Sequence, residues 1–149
     1  MPEKFEHFDQ AIAKSLIDAN AALTGLPKFL DARIVEVTPG RLVATVEVRR
    51  ELLNPFGSLH GGVIAALVDH VLGCVLYPLM PRGAWAATTE FKLNYLAAVR
   101  DGTLRAEAEV LALTKRTAVV RIEVGNGDRL ACIAQGTVLI VERPQSSRH

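Results

Sequence analysis

The sequence predicts an α+β domain in which a curved antiparallel sheet of about six strands surrounds one long apolar helix, with another helix at the N-terminus. Three observations support this fold class. Apolar residues recur at helical spacing near the N-terminus, a strongly apolar helix begins at Gly61 and runs to about Tyr77, and several β-rich stretches are separated by turn signals. An apolar helix without a polar stripe has to be covered on all sides, and a curved sheet is the simplest covering.

The first elements are a helix and a hairpin. Apolar side chains at helical spacing predict a helix over about residues 5–24, through Phe5, Phe8, Ile12, Leu16, Ala19 and Leu23. Gly25 and Pro27 are expected to end this helix. The β-rich stretches 32–37 and 41–48 flank Thr38-Pro39-Gly40, which is a typical turn between paired strands.

Four more β-rich stretches follow the apolar helix, at residues 85–99, 103–113, 116–124 and 129–141. Asp101-Gly102 separates the first two, which are predicted to pair with each other. Asn126-Gly127-Asp128 separates the last two and is a strong hairpin signal. Arg121 and Glu123 alternate with apolar neighbours, so one face of this strand is expected to meet water.

The composition fits one domain without a surface for nucleic acid. The chain has 149 residues, of which 50% are hydrophobic, so a single domain over residues 1–149 with its core at about 32–141 can bury a full interior. Seventeen basic and sixteen acidic side chains leave a net charge of +1 without a long run of either sign. Because binding to nucleic acid needs a basic surface, no nucleic-acid partner is expected.

We expect a reduced, cytoplasmic protein without a membrane span. The stretch from Val63 to Met80 is apolar, but Asp69 near its centre would cost about 2.5–3.5 kcal/mol in a bilayer. The N-terminal residues are charged and mixed, unlike those of a signal peptide. Cys74 and Cys132 lie in apolar stretches without partners at metal-ligand spacing. They are therefore predicted to be small buried side chains, and no metal or other cofactor is expected.

The loop that precedes the apolar helix carries the candidate chemistry. It reads Asn54-Pro55-Phe56-Gly57-Ser58-Leu59-His60-Gly61-Gly62. A helix N-terminus presents unpaired N–H groups and the positive end of the helix dipole, and two glycines there would let a ligand oxygen approach the backbone. This is the arrangement of an oxyanion hole. The alternative, that the two glycines only give the helix clearance from the sheet, fits the residues equally well.

Asp69 interrupts the apolar helix about two turns later. Burial would raise the pKa of its carboxyl and make it a better base near neutral pH, whereas a structural aspartate tied to a backbone or hydroxyl partner would fit the same position. His60 could be a ligand, a base or a hydrogen-bond donor that fixes the loop, and its place just before a helix start favours the third role. Asn54 could hold a substrate carbonyl or a water, or form an ordinary turn before Pro55.

Asn54, His60-Gly61-Gly62 and Asp69, with strands after them, form the pattern N-P-x-G-x-x-H-G-G-x6-D. This pattern resembles the hotdog-fold acyl-CoA thioesterases of the PaaI-like, phenylacetate-pathway branch, over roughly residues 32–141. The resemblance implies the hotdog fold and the hydrolysis of an acyl-CoA to a carboxylic acid and CoA. It also implies that the Gly61 N–H polarises the thioester carbonyl and that Asp69 acts as general base or nucleophile. Asn54 and His60 would position water and order the loop.

The family also often has a Ser or Thr beside the aspartate, on the strand after the helix. Counting back from Asn94-Tyr95 favours Thr88, and Thr89 stays open because one loop residue more or less moves the count. Strict alternation would put Thr88 on the same strand face as Glu90. His70 departs from the family pattern, in which a small or apolar residue more often follows the aspartate, and the residues do not decide its role.

The substrate-binding residues are expected in the loop and at one strand turn. Phe56 and Gly62, with apolar neighbours such as Leu52 and Leu59, suggest an acyl pocket that does not reveal which acyl group it takes. Lys115-Arg116, in a predicted turn, could meet the CoA phosphates, as could Arg82 or Arg129, although solvated turn charges are the more common role of such side chains. The alternatives to an enzyme are a non-catalytic acyl-CoA binding or sensing module on the same fold and a purely structural domain.

Geometry predicts that two chains share each site. Gly61 and Asp69 are eight positions apart on one helix, which is about 12 Å along its axis. Both groups must lie about 3 Å from one thioester carbonyl, so Gly61 of one chain is expected to face Asp69 of another across a two-fold axis. We therefore expect an obligate homodimer, as in the family, and a pairing of dimers into a homotetramer is compatible with it.

Overall fold

The structure is a computed structural model that describes residues 5–144; residues 1–4 and 145–149 of the predicted domain lie outside the described residues. The helices are α1 (Gln10–Asp18), α2 (Gly25–Leu30) and α3 (Gly61–Cys74). The strands are β1 (Arg33–Thr38), β2 (Arg41–Glu47), β3 (Trp85–Tyr95), β4 (Thr103–Leu113), β5 (Thr117–Asn126) and β6 (Arg129–Val141). They form one six-stranded antiparallel sheet in the order β1-β2-β4-β5-β6-β3, which confirms the predicted fold class.

One side of α3 packs against this sheet and forms the centre of the core. Its buried side chains are Ile64, Leu67, Val68, Val71 and Leu72. They belong to one cluster with buried strand residues that include Leu104, Val120 and Ile122. Because burying one such side chain stabilises the fold by about 1.5–3 kcal/mol, this contact holds the helix on the sheet.

The opposite side of α3 is left uncovered by the described residues. Gly62 and Asp69 are exposed along this side, and Ala66 and Gly73 are partly exposed, because the six strands form a single layer against the other side only. The expectation of a helix covered on all sides is therefore wrong for the single chain. The segment Gly61–Leu79 is long and apolar enough to cross a membrane. The core helix of a globular domain meets the same two criteria.

The N-terminal helix is shorter than predicted. Asp9 accepts hydrogen bonds from the N–H groups of Ala11 and Ile12, so α1 begins after this cap rather than at Phe5. After α1 the chain continues as a 3-10 turn to Ala22, and Gly25 starts α2 instead of only ending a helix. Pro27 fits in the first turn of α2, where a backbone N–H has no helical partner to lose.

The predicted pairing of the first two strands after α3 is wrong. β3 pairs with β6, whereas β4 lies between β2 and β5. β3 ends at Tyr95, and the segment after it runs along the loop before α3, where the N–H of Leu59 donates to the carbonyl oxygen of Val99 at 2.7 Å. The β1–β2 and β5–β6 hairpins are confirmed, the second with Gly127-Asp128 at its tip.

The two edges of the sheet differ. On the β1 edge, the amide of Asn20 bonds both backbone groups of Ile34: Nδ2 donates to the carbonyl oxygen at 2.7 Å and Oδ1 accepts from the N–H at 3.0 Å. On the other edge, β3 pairs with β6 alone among the described strands and exposes Trp85 and Tyr95. A side chain therefore occupies one position of the β1 edge, and no described strand lies beside the β3 edge.

The face of the sheet that points away from α3 carries charged pairs. Glu107 on β4 accepts hydrogen bonds from Arg41 at 2.7 Å and from Arg105 at 2.9 Å. The bond from Arg41, followed by the bond from Arg105, lowers the pKa of the Glu107 carboxyl to about 2. Arg121 and Glu123 on β5 are exposed between buried neighbours, so the predicted water-facing side of this strand is confirmed.

Candidate active site

Asn54 shapes the loop that leads into α3. Its side-chain Oδ1 accepts hydrogen bonds from the N–H of Phe56 at 2.9 Å and from the N–H of Ser58 at 3.1 Å. Its own N–H donates to the carbonyl oxygen of Ser58 at 2.6 Å. The side-chain oxygen is thus used by the loop itself, as in an ordinary Asx turn. Ordering the loop is the role that these contacts support.

His60 caps α3. Its ring Nδ1 accepts a hydrogen bond from the N–H of Gly62 at 3.0 Å, and its backbone N–H donates to the carbonyl oxygen of Leu52 at 2.9 Å. The histidine therefore fixes the loop as expected, but through a ring nitrogen that accepts. Because the cap occupies the Gly62 N–H, this group does not point freely at a ligand.

Gly61 presents the free donor of the site. Within residues 5–144 its N–H makes no hydrogen bond, and the residue is partly exposed at the start of α3. On its other side, the hydroxyl of Tyr95 donates to the Gly61 carbonyl oxygen at 2.7 Å. A Cβ at position 61 would lie 2.8 Å from the Tyr95 hydroxyl oxygen and 2.9 Å from its Cζ. A side chain at position 61 would therefore require the Tyr95 ring to move.

Tyr95 was not among the candidate residues found in the sequence. It lies on the helix-facing side of β3 together with Phe91 and Leu93, which pack against the core, and the bulge at Thr89 brings Thr88 to this side as well. A phenol is protonated at neutral pH, and partial burial raises the pKa of the Tyr95 hydroxyl further, so it remains a hydrogen-bond donor. No signal in the sequence connects Tyr95 with Gly61, which is 34 positions away.

Asp69 is exposed in the single chain, on the uncovered side of α3. The expected apolar surroundings are absent from the described residues, because the sheet covers only the opposite side of the helix. The neighbouring His70 is half-buried, and burial lowers the pKa of its imidazole while the charge of Asp69 opposes that shift. The carboxylate of Asp69 is therefore accessible for chemistry and close enough to affect the next side chain.

Cys74 lies one turn after His70 on α3. Its Sγ is 3.8 Å from His70 Nδ1 and 3.9 Å from Nε2, so the sulfur contacts the ring as a whole. Burial raises the pKa of the Cys74 thiol to about 12. Since only the thiolate is a nucleophile, Cys74 is unreactive at neutral pH, although its residue is partly exposed in the single chain and not buried as predicted. Cys132 is buried, and both are free thiols.

Thr88 and Thr89 lie at the bulge in β3. Thr88 pairs with the buried Val138, so it shares the helix-facing side, whereas Thr89 is the extra residue and its hydroxyl donates to the carbonyl oxygen of Thr137 at 3.1 Å. The expectation that Thr88 shares a face with Glu90 is wrong, because the bulge shifts the alternation between them. Thr88 is exposed and free to face the site.

α3 and β3 run in opposite directions. Gly61 lies against Tyr95 at one end of this contact, and Gly73 lies against Ala86 at the other. Thr88 follows Ala86 on the same face. Thr88 therefore lies on the part of β3 that is alongside the second half of α3, and this half contains Asp69.

The expected substrate-binding residues are not all together in the single chain. Phe56 is 88% exposed at the tip of the loop, while Leu52 and Leu59 are buried in the core instead of lining a pocket. Lys115 borders a groove of about 640 Å³ that also touches Met80 and Leu113, near the end of the chain's sheet opposite the Gly61 loop.

The turn that carries Lys115-Arg116 is held by Thr114, whose hydroxyl accepts from the N–H groups of Arg116 at 3.2 Å and Thr117 at 3.0 Å. Along the part of the chain that the structure describes, no three Asp, Glu, His or Cys side chains are grouped as a metal site.

One family and several known proteins are similar to this chain. The family model of the thioesterase superfamily matches residues 56–133. A putative esterase of Bacillus subtilis is 32% identical over 120 residues, 79% of this chain and 95% of that protein. A 1,4-dihydroxy-2-naphthoyl-CoA hydrolase of Listeria monocytogenes is 29% identical over 120 residues, 80% of this chain and 98% of that protein. A variant of the phenylacetic acid degradation protein PaaI from Thermus thermophilus is 27% identical, with a TM-score of 0.71 over 77% of this chain and 97% of that one.

Proposed function

Because the chain belongs to the thioesterase superfamily and has its hotdog fold, we propose that it hydrolyses an acyl-CoA thioester to a carboxylic acid and CoA. The observation that carries the proposal is the unpaired, partly exposed N–H of Gly61 at the start of α3. The similarity to a 1,4-dihydroxy-2-naphthoyl-CoA hydrolase supports an acyl-CoA as the substrate.

In the proposed reaction the thioester carbonyl oxygen accepts a hydrogen bond from the Gly61 N–H. Negative charge develops on this oxygen when the carbonyl carbon is attacked, and the positive end of the α3 dipole stabilises it further. Asn54 and His60 act with Gly61 by holding the loop, as their hydrogen bonds to Ser58 and Gly62 support. The stabilisation arises from groups that are already in place before the substrate binds.

Asp69 acts as the general base or as the nucleophile in the attack on the carbonyl carbon. Either its carboxylate takes a proton from water as that water attacks, or it attacks the carbon itself and water then hydrolyses the resulting anhydride. Both routes require the ionised carboxylate and release CoA as the leaving thiol. Thr88 stands on the strand beside the second half of α3, where its hydroxyl can hold the water or the Asp69 side chain.

We propose that each site is shared by two chains of a homodimer, in which Gly61 of one chain faces the partner's Asp69. Eight positions on one helix separate the two groups by about 12 Å, too far for one carbonyl. The uncovered side of α3 and the open β3 edge, with its exposed Trp85, support such a contact. Dimerisation would also take Asp69 out of water, and two dimers could pair into a tetramer.

The CoA part of the substrate would extend away from Gly61 and Asp69. We assign Lys115-Arg116 to the CoA part and the apolar Phe56 to the acyl group. Gly62 lines the approach to Gly61. The two free cysteines agree with a reducing, cytoplasmic setting, in which acyl-CoA substrates occur.

A substrate screen tests the proposed function. The parent protein and Asp69→Asn are assayed with aryl-, short-, medium- and long-chain acyl-CoAs, and the released CoA is detected with a thiol reagent. We expect turnover of at least one class by the parent and none by Asp69→Asn, with similar affinity of both for the substrate. If the parent binds acyl-CoA but hydrolyses none of them, the chain is a binding or sensing module; turnover by Asp69→Asn at the parent rate excludes the assigned role of Asp69.

A further inference from the structure

We infer that Tyr95 is a positioning residue for the proposed reaction: its hydroxyl holds the first residue of α3 so that the Gly61 N–H points at the substrate oxygen. The inference rests on the proposed function. Three features of the structure support it, namely a hydrogen bond, a close contact and an anchor in the sheet.

The hydrogen bond and the cap hold the start of α3 from two sides. Tyr95 donates to the Gly61 carbonyl oxygen at 2.7 Å, and His60 Nδ1 accepts from the Gly62 N–H at 3.0 Å. Both polar groups of the peptide that joins Gly61 to Gly62 are therefore occupied. The Gly61 N–H belongs to the preceding peptide and stays unpaired. Fixing one peptide on both sides restricts the rotation of the peptide next to it.

The close contact makes position 61 and Tyr95 complementary. A Cβ at position 61 would lie 2.8 Å from the Tyr95 hydroxyl oxygen, 2.9 Å from Cζ and 3.3 Å from Cε1. Separations below 3.0 Å require one of the two groups to move. The phenol ring therefore occupies the space of a side chain at position 61, and no atom of residue 61 itself obstructs its N–H.

The anchor connects the helix start to the sheet. Tyr95 is the last paired residue of β3, opposite Cys132, and the next residue, Leu96, donates its N–H to the carbonyl oxygen of Ala131 at 2.8 Å. A group held on a strand is positioned more precisely than one held on a loop. Through Tyr95, the position of Gly61 is set by β3 and β6 as well as by the loop that contains Asn54.

The substitution Tyr95→Phe removes only the hydroxyl and tests the inference. With the acyl-CoA that the parent hydrolyses best, we expect kcat to fall about tenfold while KM changes less than about twofold, because an oriented oxyanion donor acts mainly in the transition state. The matched control is Tyr77→Phe, which removes the hydroxyl of the chain's other tyrosine, 3.5 Å from the Ala86 N–H. This control is expected to keep the parent kcat. An unchanged kcat in Tyr95→Phe, or an equal fall in the control, overturns the inference.

A second pair of variants tests the contact itself. Gly61→Ala alone is expected to lower both Tm and kcat, since its methyl meets the Tyr95 ring. In the Tyr95→Leu background the same Gly61→Ala change is expected to lower Tm much less, because the space has been opened. If the two changes lower Tm additively, the two residues do not constrain each other and the inference is overturned.

A measurement without substrate separates this inference from the proposed function. In ¹⁵N NMR spectra, the Gly61 amide signal is expected to shift in Tyr95→Phe, and the hydrogen exchange of the Gly62 amide, which is bonded to His60, is expected to accelerate at least about threefold, while Tyr77→Phe leaves both unchanged. If the parent hydrolyses no acyl-CoA, the proposed function fails and this readout still tests the clamp. A Gly61 amide unaffected by Tyr95→Phe overturns the inference whatever the activity.

Discussion

The ring nitrogen Nδ1 of His60 lies 3.0 Å from the backbone nitrogen of Gly62 and accepts its hydrogen bond, so a histidine caps α3 where Ser, Thr, Asp or Asn is more usual. The cap satisfies the second N–H of the helix and leaves the first, that of Gly61, without a partner among the described residues. The hydrogen bond between Gly62 and His60 thus caps the helix, and the Gly61 N–H stays available as a donor.

Replacement of His60 tests the cap. His60→Ala is expected to lower the free energy of unfolding by about 1 kcal/mol, the usual cost of losing an N-cap, and to lower kcat because the Gly62 N–H is released. His60→Asn keeps an acceptor at this position and is expected to recover most of both losses. Urea unfolding and steady-state kinetics provide the two measurements. An Asn variant as impaired as the Ala variant would show that the imidazole does more than accept this bond.

Complementation between two inactive variants tests the shared site. Asn54→Ala disorders the loop that presents Gly61, and Asp69→Asn removes the attacking group. When both are unfolded and refolded together, half of the dimers are mixed and each mixed dimer has one intact site, so about a quarter of the parent activity is expected. Native mass spectrometry verifies that mixed dimers form. If they form and remain inactive, each site belongs to a single chain.

The pKa of His70 reports the charge of Asp69. Burial lowers this pKa and Asp69 partly opposes the shift, so Asp69→Asn is expected to lower the pKa of His70 further. NMR titration of the imidazole measures it directly, with His60→Ala as a control that leaves Asp69 in place. Because the folded pKa lies below the unfolded value, His70 contributes full stability above about pH 6.5, and this is lost as the pH falls through the folded pKa. A higher pKa in Asp69→Asn would contradict the contact.

Glu107 predicts a loss of stability in acid. Its pKa is lowered from 4.5 to about 2, chiefly by the hydrogen bond from Arg41, so the stability that it contributes is complete above pH 4.5 and disappears as the pH falls toward 2. The pair is partly exposed, which limits this contribution to about 1 kcal/mol. The free energy of unfolding, measured with urea between these pH values, is expected to fall less steeply with decreasing pH in Glu107→Gln than in the parent. Equal slopes would mean that the pairing with Arg41 is not maintained in solution.

The local parts of the fold and site were predictable from the sequence because they depend on neighbouring residues. The apolar run after Gly61 predicts α3, and the loop pattern from Asn54 to Asp69 places the donor and the carboxylate on one helix. The turn at Gly127-Asp128 predicts the β5–β6 hairpin. In each case hydrophobic periodicity or turn chemistry within about fifteen residues determines the structure.

The long-range features were not predictable in this way. That β3 pairs with β6 and not with β4 depends on how the segment around Val99 docks on the loop before α3. That Thr88 shares the helix-facing side of β3 with Tyr95 depends on a bulge at Thr89, which shifts the alternation of a strand that otherwise looks regular. The exposure of Asp69 follows from the single layer of strands, which hydrophobicity alone cannot reveal.

The amide of Asn20 occupies one place on the β1 edge where a strand of another chain could pair. A sheet with two open edges can add further copies at both ends and so extend into a fibre. Here the backbone groups of Ile34 on β1 are already bonded by Asn20, while β3 remains open. Two copies that join through β3 would leave two β1 edges, on each of which the backbone groups of Ile34 are already bonded. Removing this one amide would free both groups of Ile34 for pairing with a strand of another chain.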